Sequence, residues 1–231
     1  MKEPTDLVRP RDIPEASLRR LPIYYRFLQQ LGVEGIAQVS CADLSRGLGL
    51  DPTQVRKDIE MTGIVGRPRT GYALMDLLRW LENFLGWNQP KPAVLAGAGS
   101  LGSALLGYDR FRSHGLEIVA VFDIDAKKIG TCIHGREVRP LAFLPDFVSR
   151  EKVPLGVIAT PAAAAQSVVN LMVTGGIRAI WNFAPAHLRV PDHVILQNED
   201  LYHSLASLSF KLQKRLGGML AKEGFTNAKE N

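Results

Sequence analysis

With 231 residues the chain has room for one large domain or two modest ones, and with 46% hydrophobic residues it can bury a real core. It has no run of about 18 apolar residues, which argues against a transmembrane helix, and its polar, acid-bearing first residues are not expected to act as a secretory signal. The net charge of +5 permits a polyanionic partner without demanding one, while Cys41 and Cys132, far apart with no CxxC pair and no histidine cluster at ligand spacing, give no metal centre and suit a reducing cytoplasm.

An irregular, proline-punctuated arm opens the chain. A helix is then predicted from about Ser17 to Gln30, where Leu18, Leu21, Tyr25, Leu28 and Leu31 recur at three- and four-residue spacing. Ser40, with Asp43 three residues on, caps a second helix in a capping-box arrangement, with Leu44 and Leu48 on its apolar face and Gly47 and Gly49 ending it. Asp51 caps a third helix with Pro52 at its first position, and Val55 and Ile59 point inward. Thr53, Gln54, Arg56 and Lys57 lie off that apolar face, where a helix–turn–helix places side chains that reach the major groove. Two strand-like pieces then flank a turn tip carrying Arg67 and Arg69, a basic hairpin whose arginines would meet phosphates or the minor groove. Together these make a winged helix. The same three helices and hairpin also fit a protein-interaction module, since the geometry is not unique to DNA binders.

The chain divides near Trp87–Pro92, two prolines among polar neighbours. Beyond it, apolar runs at Ala93–Ala96, Ile118–Phe122, Leu155–Ala159, Ala179–Trp181 and Val194–Leu196 alternate with helical patterns, the reading of a doubly wound parallel sheet. The last helix, from Asp200 to about Gly217, carries a seam of Leu201, Leu205, Leu208, Leu212 and Leu216. That seam suits either a core helix or exchange with a partner subunit.

Between the first strand and its helix stands Gly97-Ala98-Gly99-Ser100-Leu101-Gly102, a full G-x-G-x-x-G in the context the motif requires. Gly97 permits the tight turn, Gly99 lets backbone approach a pyrophosphate, and Gly102 lets helix and strand pack closely. The amides at the helix start would then face the phosphates. Asp123, at the end of the next strand, is placed to accept from the adenosine ribose hydroxyls and to repel a 2′-phosphate, so NAD(H) is the expected ligand. Thr160-Pro161 and Asn182-Phe183 follow later strands and are candidates for the nicotinamide side. None of the five histidines sits in a hydride-transfer motif, and there is no Tyr-x-x-x-Lys pair, so an enzyme is not expected.

Taken together, Arg20-Leu21-Pro22-Ile23-Tyr24-Tyr25-Arg26, Gln54-Val55-Arg56-Lys57-Asp58, Gly71-Tyr72, the glycine loop with Ser103-Ala104-Leu105, Phe122-Asp123-Ile124-Asp125, Thr160-Pro161-Ala162 and Asn182-Phe183-Ala184-Pro185 make the chain resemble the bacterial Rex redox-sensing repressors over about 13–210. The resemblance implies an α/β chain in three parts. A winged helix-turn-helix domain spans 1–88, a Rossmann-type NAD(H)-binding domain 89–200, and a domain-swapped C-terminal helix and tail 201–231. It implies a cytoplasmic homodimer on inverted-repeat operator DNA, released when NADH replaces NAD+, with no membrane and no metal. It also implies that Tyr108 lies near the nicotinamide and that Arg26 and Asp200 help couple cofactor state to the DNA-binding domain. Cys41, Met61-Thr62, Pro68-Arg69 and Ser100 depart from the family pattern. Two rivals share the glycine loop: a small NAD-dependent oxidoreductase with an added helical domain, and a CoA-type nucleotide-binding module without DNA affinity.

Overall fold

The computed structural model describes residues 13–227, with backbone alone for Leu201, His203 and 217–227. The expected arm ahead of the first helix lies, up to position 12, outside the described residues. The chain parts into two compact units, one reaching to Pro90 and including Ser113–Gly115, the other made of Lys91–Arg112 and the chain from Leu116 onward.

The first unit holds α1 (Glu15–Val33), α2 (Cys41–Leu48), α3 (Pro52–Met61) and α4 (Leu74–Phe84), with short strands β1 (Gln38–Val39) and β2 (Tyr72–Ala73). Ser40 and Asp43 close the predicted capping box: the serine hydroxyl accepts from the Asp43 N–H at 3.2 Å, and the Asp43 carboxylate from the Ser40 N–H at 2.9 Å. Asp51 accepts from the Gln54 N–H at 2.9 Å, and Gly49 ends α2 in the left-handed region. Leu21, Tyr24 and Leu28 from α1 meet Leu44, Val55 and Ile59, and α4, a helix beyond the predicted elements although Leu74, Leu77, Leu78 and Leu81 recur at helical spacing, closes this core with Leu74, Leu77 and Leu81.

The wing differs from expectation. The stretch before Arg67 is not a strand. β2 pairs instead with β1, Gln38 opposite Ala73 and Val39 opposite Tyr72, and the tip closes through reciprocal Arg67–Gly71 backbone bonds of 2.7 and 3.0 Å. Gly63 and Gly66 offer no side chain to pack on a strand pair, whereas Val39 is fully buried.

One buried carboxylate ties α3 to α1. Asp58, on α3, accepts from Arg20 Nε at 2.6 Å and Arg20 Nη2 at 2.8 Å, from the Tyr24 hydroxyl at 2.6 Å and from Gln54 Nε2 at 2.9 Å. Burial pushes its pKa up, but the hydrogen bonds from Arg20, Tyr24, Gln54 and Ser17 outweigh that and hold it at about 2.

The second unit is a seven-stranded sheet in the order β5-β6-β4-β3-β7-β8-β9. Its strands are β3 (Lys91–Ala96), β4 (Leu116–Asp123), β5 (Cys132–Ile133), β6 (Arg136–Pro140), β7 (Leu155–Ile158), β8 (Ala179–Asn182) and β9 (Ile195–Asn198). All pairings are parallel except β5 with β6. The helices are α5 (Ser100–Leu106), α6 (Arg110–Ser113), α7 (Leu144–Glu151), α8 (Ala162–Gly175) and α9 (Leu201–Asn227). Strand residues alternate between the faces. Val94 and Ala96 meet the α7–α8 side, with Val148, Val168 and Met172, while Ala93 and Leu95 meet the side holding Leu105 and Leu106. The β5–β6 hairpin and α7 go beyond the predicted elements. On α9 the seam residues Leu205, Leu208, Leu212 and Leu216 are all more than half exposed, and the Leu201 side chain lies outside the described residues.

Asp58→Asn should lower the stability of the full chain to urea by about 3 kcal/mol, because Arg20 loses its acid. The Asp58 carboxyl is depressed on folding, so its contribution is whole above about pH 4 and is lost as pH falls towards about 2. Urea midpoints across that window check both statements.

Candidate functional site

The sheet reverses direction of growth at β3: β4 and β6 lie to one side, β7, β8 and β9 to the other. At such a switch point the loops at the carboxyl ends of the strands part and leave a crevice. A cavity of about 640 Å³ lies there, lined from the loops after β3, β4, β7 and β8.

The glycine loop shapes one wall. Gly97 has φ +104°, and a Cβ there would lie 2.5 Å from the Ala159 carbonyl oxygen. A Cβ on Gly102 would fall on the carbonyl oxygen of Gly97, so α5 packs against the loop only because residue 102 is glycine. Gly99 is different: nothing stands within 4 Å of where its Cβ would be. Its side-chain position is open space at the helix start, where a phosphate would approach backbone amides.

Asp123 is buried at the end of β4. Its Oδ2 accepts from the Ala98 N–H at 2.7 Å and from Lys128 Nζ at 3.1 Å, and its Oδ1 from the Asp125 N–H at 2.9 Å. Burial pushes its pKa up, but the amides of Asp125 and Ala98 and the Lys128 ammonium outweigh that and hold it below the usual carboxylate range. The Ala98 amide therefore holds the loop to β4 and is not directed at a ligand.

Of the sequence-predicted cofactor residues, the cavity gathers Gly97, Gly99, Ser100, Leu101, Asp123, Thr160, Pro161 and Phe183. Ala98 and Gly102 hold the loop's shape. Asn182 is buried with its amide spent on the Ala184 backbone and on Asn198 Oδ1, so it braces the loop that presents Phe183. Tyr108 lines a separate depression and stacks edge-on with Phe111 at 4.8 Å. The ring series continues from Phe111 to Trp181 at 5.3 Å and from Trp181 to Phe183 at 4.7 Å, linking Tyr108 to the cleft. Trp181 Nε1 also donates to Glu199 Oε1 at 2.9 Å, just ahead of α9.

Sequence reasoning missed Lys128, Ile124, Asp125 and Leu141 in the lining. Lys128 stands five residues beyond Asp123, and its sequence signal is that of any solvated lysine. Among the described residues Thr160 Oγ1 is the one buried side-chain nitrogen or oxygen without a hydrogen-bond partner, and Thr160 lines this cleft. An orphaned hydroxyl and an open glycine position in one cleft fit a polar ligand with a phosphate group.

In the first unit, Thr53, Arg56 and Lys57 on α3 are exposed, as are Arg67 and Arg69 at the wing tip. The Gln54 amide is engaged by Asp58, so it braces α3 as well as standing near its start. Arg26 is exposed on α1, and Asp200, in the other unit, accepts from the Tyr202 N–H at 2.8 Å. Among the described residues no group of three or more His, Cys, Asp or Glu is arranged to hold a metal, and no described helix is long and apolar enough to cross a membrane.

Residues 12–59 match the family model described as "Putative DNA-binding protein N-terminus", and residues 88–186 match "CoA binding domain". A "Redox-sensing transcriptional repressor Rex" of Pelotomaculum thermopropionicum is 46% identical, covering 88% of this chain and 95% of its own length. One of the same name from Desulforamulus reducens is 45% identical, covering 87% and 95%. Among solved structures, RSP in complex with β-NAD+ and operator DNA is similar with a TM-score of 0.84 and 34% identity, covering 91% of this chain and 98% of that one. RSP in complex with β-NADH is similar with a TM-score of 0.81 and 34% identity, covering 91% and 99%.

Gly99→Ala separates fold from ligand. The added methyl meets nothing in the protein, so the urea midpoint should stay within error of wild type, while calorimetric affinity for NADH should fall about tenfold or more as the phosphate loses its approach.

Proposed function

From the membership of this chain in the Rex family of redox-sensing transcriptional repressors, we propose that it is a repressor that reads the NADH/NAD+ ratio. It holds an inverted-repeat operator with NAD+ or without ligand and releases it when NADH is bound. The observation that carries this is the cleft at the switch point, where an open Gly99 position and an orphaned Thr160 hydroxyl fit a dinucleotide, in a chain whose other unit carries a helix–turn–helix.

The roles divide along the chain. The winged-helix part, 1–88, binds DNA, with Thr53, Gln54, Arg56 and Lys57 at the major groove and Arg67 and Arg69 on the backbone or in the minor groove. The part from 89 to 200 binds NAD(H). Gly99, Ser100 and Leu101 present the start of α5 to the pyrophosphate, Asp123 takes the adenosine ribose, and Thr160, Pro161 and Phe183 line the nicotinamide side. Gly97, Ala98 and Gly102 shape the loop, Asn182 braces Phe183, and Tyr108 reaches the nicotinamide side through the ring series. The part from 201 to 231 dimerises. The exposed leucine seam of α9 supports exchange of that helix between two copies, because so long an apolar stripe is costly to leave in water. Arg26 and Asp200 couple the two units.

Oxidation changes the charge and planarity of the nicotinamide ring, and a ligand shifts an equilibrium only by its differential affinity for the two states. Phe183 and its ring neighbours must therefore favour the reduced ring in the state that lets DNA go. That relatives across the family are named repressors supports a site that senses its ligand and does not turn it over, acting in the cytoplasm where the DNA is.

Fluorescence anisotropy of a labelled inverted-repeat promoter fragment at fixed salt tests the reading. The chain should bind with NAD+ present and dissociate as NADH is added. Failure to bind DNA under any nucleotide condition would sink it.

A further inference from the structure

The acid at the end of β4 does not stand alone, and its company bears on which dinucleotides the cleft admits, a selectivity that rests on the cleft being a dinucleotide site. Asp123 is 8% exposed and already accepts from three donors: Ala98 N–H and Lys128 Nζ on Oδ2, Asp125 N–H on Oδ1. A carboxylate has about four acceptor sites, so one remains, on Oδ1, for a ribose hydroxyl. An unpaired acid would offer both oxygens to the ribose and a full negative charge to anything added at its 2′ position.

Lys128 is held in place from both sides. Its N–H donates to the Asp125 carbonyl at 2.9 Å, and its carbonyl accepts from the Thr131 N–H at 2.9 Å and the Thr131 hydroxyl at 2.6 Å. The side chain is 37% exposed and lines the cleft next to Asp123. The second acid of that lining, Asp125, has Oδ1 on the Lys127 N–H at 2.9 Å.

We propose that Lys128 sets the selectivity of the cleft between dinucleotides with and without a 2′-phosphate, and that through it the site takes NADPH as a weaker second ligand beside NADH. The ammonium cancels most of the repulsion that Asp123 would exert on a 2′-phosphate, and it supplies a phosphate-binding point charge at the ribose. The Asp123–Lys128 pair makes the cleft less exclusive than the strand-end acid alone would.

Calorimetric titration of the full chain with NADH and with NADPH, at one salt concentration, tests this. Wild type should bind both, NADPH more weakly. Lys128→Met should lose NADPH affinity by about tenfold or more beyond any change for NADH. Lys128→Gln, which keeps a donor to Asp123 without the charge, should widen the ratio in the same direction, with urea midpoints showing that each variant is folded. A wild type that binds NADH but not NADPH overturns the proposal, and so does an unchanged NADH:NADPH ratio in the folded variants. A wild type that binds neither overturns the assignment of the cleft to dinucleotides.

Discussion

At residue 102 there is no room for a side chain, and the architecture of the cleft follows from that. Because Gly102 lies against the Gly97 carbonyl, α5 starts close against the end of β3, and Gly99, Ser100 and Leu101 line the cleft. The Ala98 N–H then fastens the loop to Asp123 at the end of β4, so one hydrogen bond ties the wall of the cleft to its acid. Gly99 is left with open space where its side chain would stand. One glycine forbids a side chain for packing, and its neighbour three residues earlier for access.

Two buried carboxylates organise the two units in the same physical way. Asp58 in the first and Asp123 in the second are each desolvated, and each is kept ionised by several donors that outweigh the burial. Asp58 fixes the angle of α3 on α1 and so the surface from which Thr53, Arg56 and Lys57 project. Asp123 fixes the glycine loop. In both places a charge that would be expensive alone holds a functional element in one orientation.

The signals legible in the sequence are local ones. The Ser40 capping box, the Asp51–Pro52 helix start, the Val55–Ile59 spacing and the strand–glycine–helix context of the loop all act within a few residues, and each appears where its pattern put it. What is not legible depends on distant partners. Asp58 among Arg56, Lys57 and Glu60 looks like part of a solvated charged face, and it is Arg20 and Tyr24, 38 and 34 residues away, that make it a buried anchor. Gln54 and Asn182 show how a polar residue in the right motif can serve its own backbone or a neighbouring side chain. The pairing of β2 with β1 spans α2 and α3, so a hairpin assigned from adjacent pieces chose the wrong partner. Lys128 is invisible in the sequence because the turn that aims its ammonium back at Asp123 leaves no periodic trace.

On the proposed function, the glycine loop is the input of a switch whose output is DNA held or released. The most direct measurement is the anisotropy of a labelled inverted-repeat fragment bound to Gly99→Ala as NADH is added. This variant should bind the fragment as wild type does and keep it at NADH concentrations that clear wild type from it. Release from Gly99→Ala at the wild-type NADH concentration would mean that the glycine loop is not the input.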